Sequence, residues 1–247
     1  MKDKFIIKPF NLVYITLFII NVLICLFFFK LTTIFNARQV LLGVSLFNLV
    51  MYIIYRHIYT HDKEYIDIAY PGQYKVNKYV ELPLNPCNIL VIITPFAYIF
   101  HNEWFLSYIF FYTFFMPILA MLMPCVGFDK YSVFKFRILW YYESHYFLLM
   151  NLPLMLYTGY FVPTYINVLY GTIILLVIGF IVHLINNYLV KKNLSKKANF
   201  FYTRDHEEIS ILKFFRKLIP IDFLYVIPAL ILYGLLYLLL VFVINVL

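Results

Sequence analysis

Seven stretches of the 247-residue chain are long and predominantly apolar, and the segments between them are polar or charged. They run over 10–29, 39–55, 82–100, 104–123, 138–160, 164–190 and 223–246. A helix needs about 20 apolar residues to cross a hydrocarbon core about 30 Å thick, so each stretch predicts a transmembrane helix. The second is the least apolar, because Val40 to Tyr55 is short and contains Ser45 and Asn48. Two connections, His101 to Glu103 and Phe161 to Pro163, are so short that they must join adjacent antiparallel helices. The longer connections, 56–81 and 191–222, hold turn formers such as Pro71-Gly72 and Pro220. The expected fold is all-α: a polytopic transmembrane helical bundle of about seven spans, in a single membrane domain over 1–247. The run after Lys8 is too long for a cleavable signal peptide, so the first stretch is expected to be a structural span.

Composition sharpens this picture, because 64% of the residues are apolar, 13% are charged and the mean hydropathy is +0.84. A soluble fold of this length has no interior large enough for that surface. Lys and Arg in short loops are retained on the cytoplasmic side of a membrane. Eighteen of the twenty fall on one side of the seven-span topology, and only Lys30 and Arg38 fall on the other. The bias places the amino terminus in the cytoplasm and the carboxyl terminus outside. Adding or deleting a span would destroy it.

The net charge of +8 belongs to membrane-flanking loops, with no recognition helix or finger spacing, so nucleic acid is excluded. Membrane lipids, including anionic phospholipid headgroups, are the expected partners, and Lys191, Lys192, Lys196 and Lys197 directly after a span fit that role as well as topology. The segment 204–218 alternates acidic and basic groups around Ile209, Ile211, Leu212, Phe214, Phe215 and Leu218, the pattern of an amphipathic helix on the cytoplasmic leaflet.

Ionisable groups within spans are costly and mark sites worth pursuing. Here they are Cys25, Cys87, Cys125, Glu143, His145 and His183, with Asn85, Asn88, Asn151, Asn186 and Asn187 beside them. At about 1.5 Å of rise per residue, Cys87, His145 and His183 are expected at one level, about 8 to 11 Å below the cytoplasmic surface. In Leu82-Pro83-Leu84-Asn85-Pro86-Cys87, Asn85 can cap a helix and Pro86 suits its first position, which puts Cys87 in the first turn. A helix amino terminus favours thiolate. Cys87 is otherwise a small buried hydrophobe, and each histidine can equally serve an interhelical hydrogen bond. Glu143 and His145 are two positions apart and point to different helix faces, so Glu143 is expected to pair with Arg137 or another helix. His183 shares a face with Asn186 and Asn187. No HExxH or CxxC spacing is present, and three cysteines, of which Cys87 and Cys125 are expected near the cytoplasmic face, do not suggest structural disulfides. No metal and no cofactor is expected.

These motifs resemble the YwaF family of bacterial membrane proteins, grouped with the animal transmembrane protein 164 acyltransferase. The resemblance rests on Leu82-Pro83-Leu84-Asn85-Pro86-Cys87-Asn88-Ile89, Pro124, Ser144-His145, and Asn186-Asn187-Tyr188 followed by Asn199-Phe200-Phe201-Tyr202, over roughly 80–203. It implies a multi-pass protein of the cell membrane that moves fatty acyl chains between phospholipids. Cys87 would be the catalytic nucleophile and His145 its base, with Asn85, Asn88, Glu143, His183 and Asn186 as a supporting polar layer. The chain departs from the family in carrying Asn85 where a histidine usually stands two residues before the cysteine. A non-enzymatic lipid-binding or transport protein, or a structural membrane subunit, is the alternative.

Overall fold

The computed structural model describes residues 5–70, 72, 74–122, 131–196, 198–206 and 209–246, so Cys125 and Pro124 lie outside the described residues. Each of the seven apolar windows contains a helix: α1 (Leu12–Leu31), α2 (Ala37–Tyr59), α4 (Pro86–Phe100), α5 (Glu103–Leu122), α6 (Phe136–Tyr157), α7 (Tyr165–Lys191) and α9 (Ile227–Val246). Two short helices, α3 (Lys63–Ala69) and α8 (Ser210–Leu218), occupy the longer connections. Among the described residues there is no strand, only one isolated bridge between Ile6 and Ser132. The chain is an all-α, multi-pass membrane protein.

Among the described residues, α1, α2, α5, α7 and the helix ending at Val246 are long and apolar enough to cross a membrane. The other two windows depart for different reasons. α4 is 15 residues long because the chain before Pro86 is held as a turn. α6 has the length, but it carries Arg137, Glu143, Ser144, His145 and Asn151. It is also the most enclosed helix of its unit, with α1 and α2 packed on it. A helix shielded by neighbours can hold polar groups that a lipid-facing helix cannot.

Helix ends follow local chemistry. Asn36 and Gln39 form a capping box at the start of α2, Asn11 caps α1, and Asp62 caps α3. After α6, Gly159 adopts φ +62° while the Tyr160 amide donates to the Met155 carbonyl 3.1 Å away, a reversal that suits a residue without Cβ. A second positive φ, +48° at His101, follows α4, so both connections that the sequence marks as short are present between their helices.

The described chain divides into two compact units. The first comprises 1–76, 90–101 and 112–162, the second 77–89, 102–111 and 163–247. In the first unit, Arg38 donates to the carbonyls of Tyr98 (2.9 Å) and Ile99 at the carboxyl end of α4. Arg137, almost fully buried, pairs with Asp62 at 3.1 Å, and Lys135 pairs with Glu64. In the second unit, α7 packs on α9 and on the first half of α5. There the buried Asn167 amide donates to Glu103 and to Ser107, each at 3.0 Å.

Candidate functional site

The Cys87 segment is built within the second unit from a turn that locks before the helix begins. Asn77 accepts from the Tyr79 amide through its side chain, and its carbonyl receives the amides of Val80 and Glu81. Its amide group reaches the Leu194 carbonyl just past α7, tying the turn to that helix end. Leu82, Leu84 and Ile89 then pack on a buried cluster of Val182, Leu189, Ala198 and Phe200. The hydrogen bond from the Ile89 amide to the Asn85 carbonyl opens α4, with Pro86 first and Cys87 second. Proline at the first helical position leaves no backbone donor unused, and its fixed φ suits the helix.

Cys87 is a half-buried thiol in this first turn. The amides of a helix start point outward and carry partial positive charge, an environment that favours thiolate. The hydroxyl of Tyr108, a fully buried residue of α5, lies within electrostatic reach of the thiol. Of the neighbouring amides, Asn85 is exposed and Asn88 half-buried.

The wall behind this segment is held by Asn186, which has no exposed surface. Its side chain pairs with the backbone of Phe200 from both sides, accepting the Phe200 amide at 3.1 Å and donating to the Phe200 carbonyl at 2.8 Å. It also donates to the Thr203 hydroxyl at 2.9 Å. The clamped turn contains Phe201 and Tyr202 at φ +61° and +54°, a conformation that β-carbon sterics disfavour. Asn199 fastens its far side by accepting the amides of Arg204 and Asp205. His183, one turn earlier on α7, lies against Phe223 and the Thr203 backbone, and the exposed Asn187 donates to its Nε2 at 2.9 Å.

Glu143 and His145 belong to the first unit. His145 is buried, and its Nδ1 lies 2.6 Å from the Tyr141 carbonyl. A carbonyl only accepts, so Nδ1 is the donor there, and in the neutral ring the lone pair is on Nε2. Glu143 turns to another face and accepts from Asn21 of α1 at 3.1 Å, so of the two expected partners it takes the other helix, while Arg137 takes Asp62. Asn21 also borders a small apolar cavity of about 130 Å³ lined by Phe18, Val22, Cys25 and Met150.

The sequence model of the TMEM164 family matches residues 6–246. The chain belongs to the TMEM164 family. No curated protein and no solved structure matches it. The family match extends well beyond 80–203, where the short motifs lie, and takes in α1, α2 and α9. Two of those motifs, Leu82 to Ile89 and Asn199 to Tyr202, meet in the packed cluster of the second unit. The third, Asn186-Asn187-Tyr188, supplies the clamp that holds them there.

Within the second unit the structure therefore brings together Asn186, Phe200 and the Cys87 segment, and His183 with Asn187. Two participants escape a sequence reading. Tyr108 sits in a stretch, Leu106 to Tyr112, whose residues are all buried, so no periodic contrast marks it. Thr203 gains its role only through the fold of the turn. The expected amphipathic helix over 204–218 is confined to Ser210–Leu218, because Arg204 and Asp205 are drawn into hydrogen bonds with Asn199. Among the described residues, no three His, Cys, Asp or Glu side chains converge to hold a metal.

Proposed function

We propose that this TMEM164-family protein is a lipid acyltransferase or transacylase of the cell membrane, with Cys87 as its nucleophile. The observation that carries the reading is the Cys87 thiol at the second position of α4, in a segment clamped against α7 and the 198–203 turn. The thiolate attacks the ester carbonyl of a phospholipid and forms a thioester. The departing lysolipid alkoxide takes up a proton. A hydroxyl of the acceptor lipid then loses its proton and attacks the thioester, which frees the thiolate. The family resemblance gives His145 the role of base, and with Nδ1 donating to the Tyr141 carbonyl it is Nε2 that would take the proton. The outward amides at the start of α4, with Asn88 beside them, supply donors for the oxyanion of each tetrahedral intermediate.

The test uses purified protein in bilayers containing a phospholipid with a labelled acyl chain and an unlabelled lysolipid acceptor. Label should move to the acceptor, and a hydroxylamine-sensitive label should accumulate on Cys87. Transfer should be lost in Cys87→Ala and reduced at least about 100-fold in His145→Ala, the scale of a general base. Equal transfer by wild type and Cys87→Ala would sink the assignment. Lipid-dependent stabilisation with no transfer would make the protein a carrier instead.

A further inference from the structure

α8 carries two chemically different edges and leaves one of them uncovered. Leu212 is buried against the second unit, and Arg216 turns the same way, donating to Asp222 at 2.5 Å and lying 4.8 Å from the Tyr225 ring. Ile211, Phe214 and Leu218 recur at helical spacing on another face and are 45%, 58% and 64% exposed, with Ile221 continuing the stripe. Lys213 and Lys217, one turn apart, are exposed along the edge between the stripe and the solvent side. Lys191, Lys192 and Lys196, just past α7 in the same unit, are exposed as well.

We propose that the α8 stripe inserts into the leaflet and that Lys217 and Lys213 bind phosphates of anionic phospholipids, while Arg216 serves only to fasten the helix. Three observations select a lipid surface as the occupant. The short segment from Ile219 to Val226 joins α8 to α9, a membrane-crossing helix on which α8 also packs, so the stripe is held near the point where α9 leaves the headgroups. An exposed Phe and Leu beside lysines match the apolar and anionic layers of a leaflet, into which lysine stems can reach while their ammonium groups stay at the phosphates. The basic residues after α7 reinforce the same sign of charge. The proposal is independent of the Cys87 chemistry.

The test is amide hydrogen exchange over 213–218 in the full chain, reconstituted in nanodiscs of phosphatidylcholine alone or with phosphatidylglycerol, at low salt. Exchange should be slower with the anionic lipid, by about fivefold for each lysine engaged. Lys213→Gln with Lys217→Gln should abolish the lipid difference, and high salt should do the same. Phe214→Ser should raise exchange in both lipids through loss of the stripe, and Arg216→Gln should raise it equally in both through loss of the fastening. Identical exchange of the wild type in the two lipids, or a lysine double variant that keeps the difference, overturns the headgroup assignment. A Phe214→Ser variant that exchanges like the wild type overturns insertion. Absence of protection in either lipid overturns the proposal in favour of a protein partner.

Discussion

Replacing Asn186 by leucine, nearly its equal in size and shape, should release the turn that backs the Cys87 segment. The substitution deletes three hydrogen bonds, at 2.8, 2.9 and 3.1 Å, two of them to the backbone of Phe200. The Thr203 hydroxyl still approaches the Phe200 carbonyl at 3.5 Å, so the carbonyl keeps a weak partner, and the larger loss falls on the Phe200 amide. A buried backbone group left without a partner costs about 1–3 kcal/mol. Hydrogen bonds between membrane helices average only about 0.6 kcal/mol, because the unfolded chain in lipid finds other partners. A backbone amide inside a tight turn has fewer such alternatives, so the loss is expected at about 2–4 kcal/mol. Asn187 is the control: it is exposed and its side chain donates to the His183 ring, so Asn187→Leu should cost less than about 1 kcal/mol. Unfolding in mixed micelles, followed by circular dichroism, measures both. Labelling of Cys87 by a maleimide, with Cys25 and Cys125 replaced by serine, should change in rate for Asn186→Leu and stay fixed for Asn187→Leu. Equal losses from the two variants, or unchanged stability and labelling in Asn186→Leu, would refute the clamp.

Substitutions at three further positions test the packing within each unit. A Cβ on Gly171 would stand 3.1 Å from the Ser107 carbonyl oxygen, a backbone atom, so Gly171→Ala should force α5 and α7 apart and cost about 1–3 kcal/mol in the same unfolding assay. Gly43 has no neighbour within 4 Å of that position, so Gly43→Ala should be neutral or slightly stabilising. Arg38→Gln should lower stability by about 1–2 kcal/mol, because it strips the charged donors from the Tyr98 and Ile99 carbonyls. Arg38→Lys should recover only part of this, since one ammonium cannot reproduce a two-pronged guanidinium contact; full recovery would show that charge alone matters.

The spans were legible because the hydrocarbon core imposes a length and a polarity that few other constraints imitate. Their ends were less so, since a cap or a proline decides them locally: Pro86 starts α4 four residues inside its apolar window, and α2 runs on through Arg56 and His57 to Tyr59. The polar residues within the spans were legible as anomalies, but their partners were not. Glu143 and Asn21 are 122 residues apart and Arg137 and Asp62 are 75, and no spacing rule joins such pairs. Asn186 and Asn187 look equivalent in sequence, yet the 100° step between helix neighbours puts one wholly inside and leaves the other exposed. The same reasoning changes how a polar residue here is to be weighed. Asn21, Arg137, Asn167 and Asn186 each satisfy a contact that builds the fold, so burial of a polar group in this chain is first evidence of packing. Cys87 stands apart because it is a half-buried thiol in the first turn of a helix, where backbone amides favour thiolate. What a thiol adds at the second residue of a proline-started helix is reactivity, which is why the proposed chemistry is assigned to it.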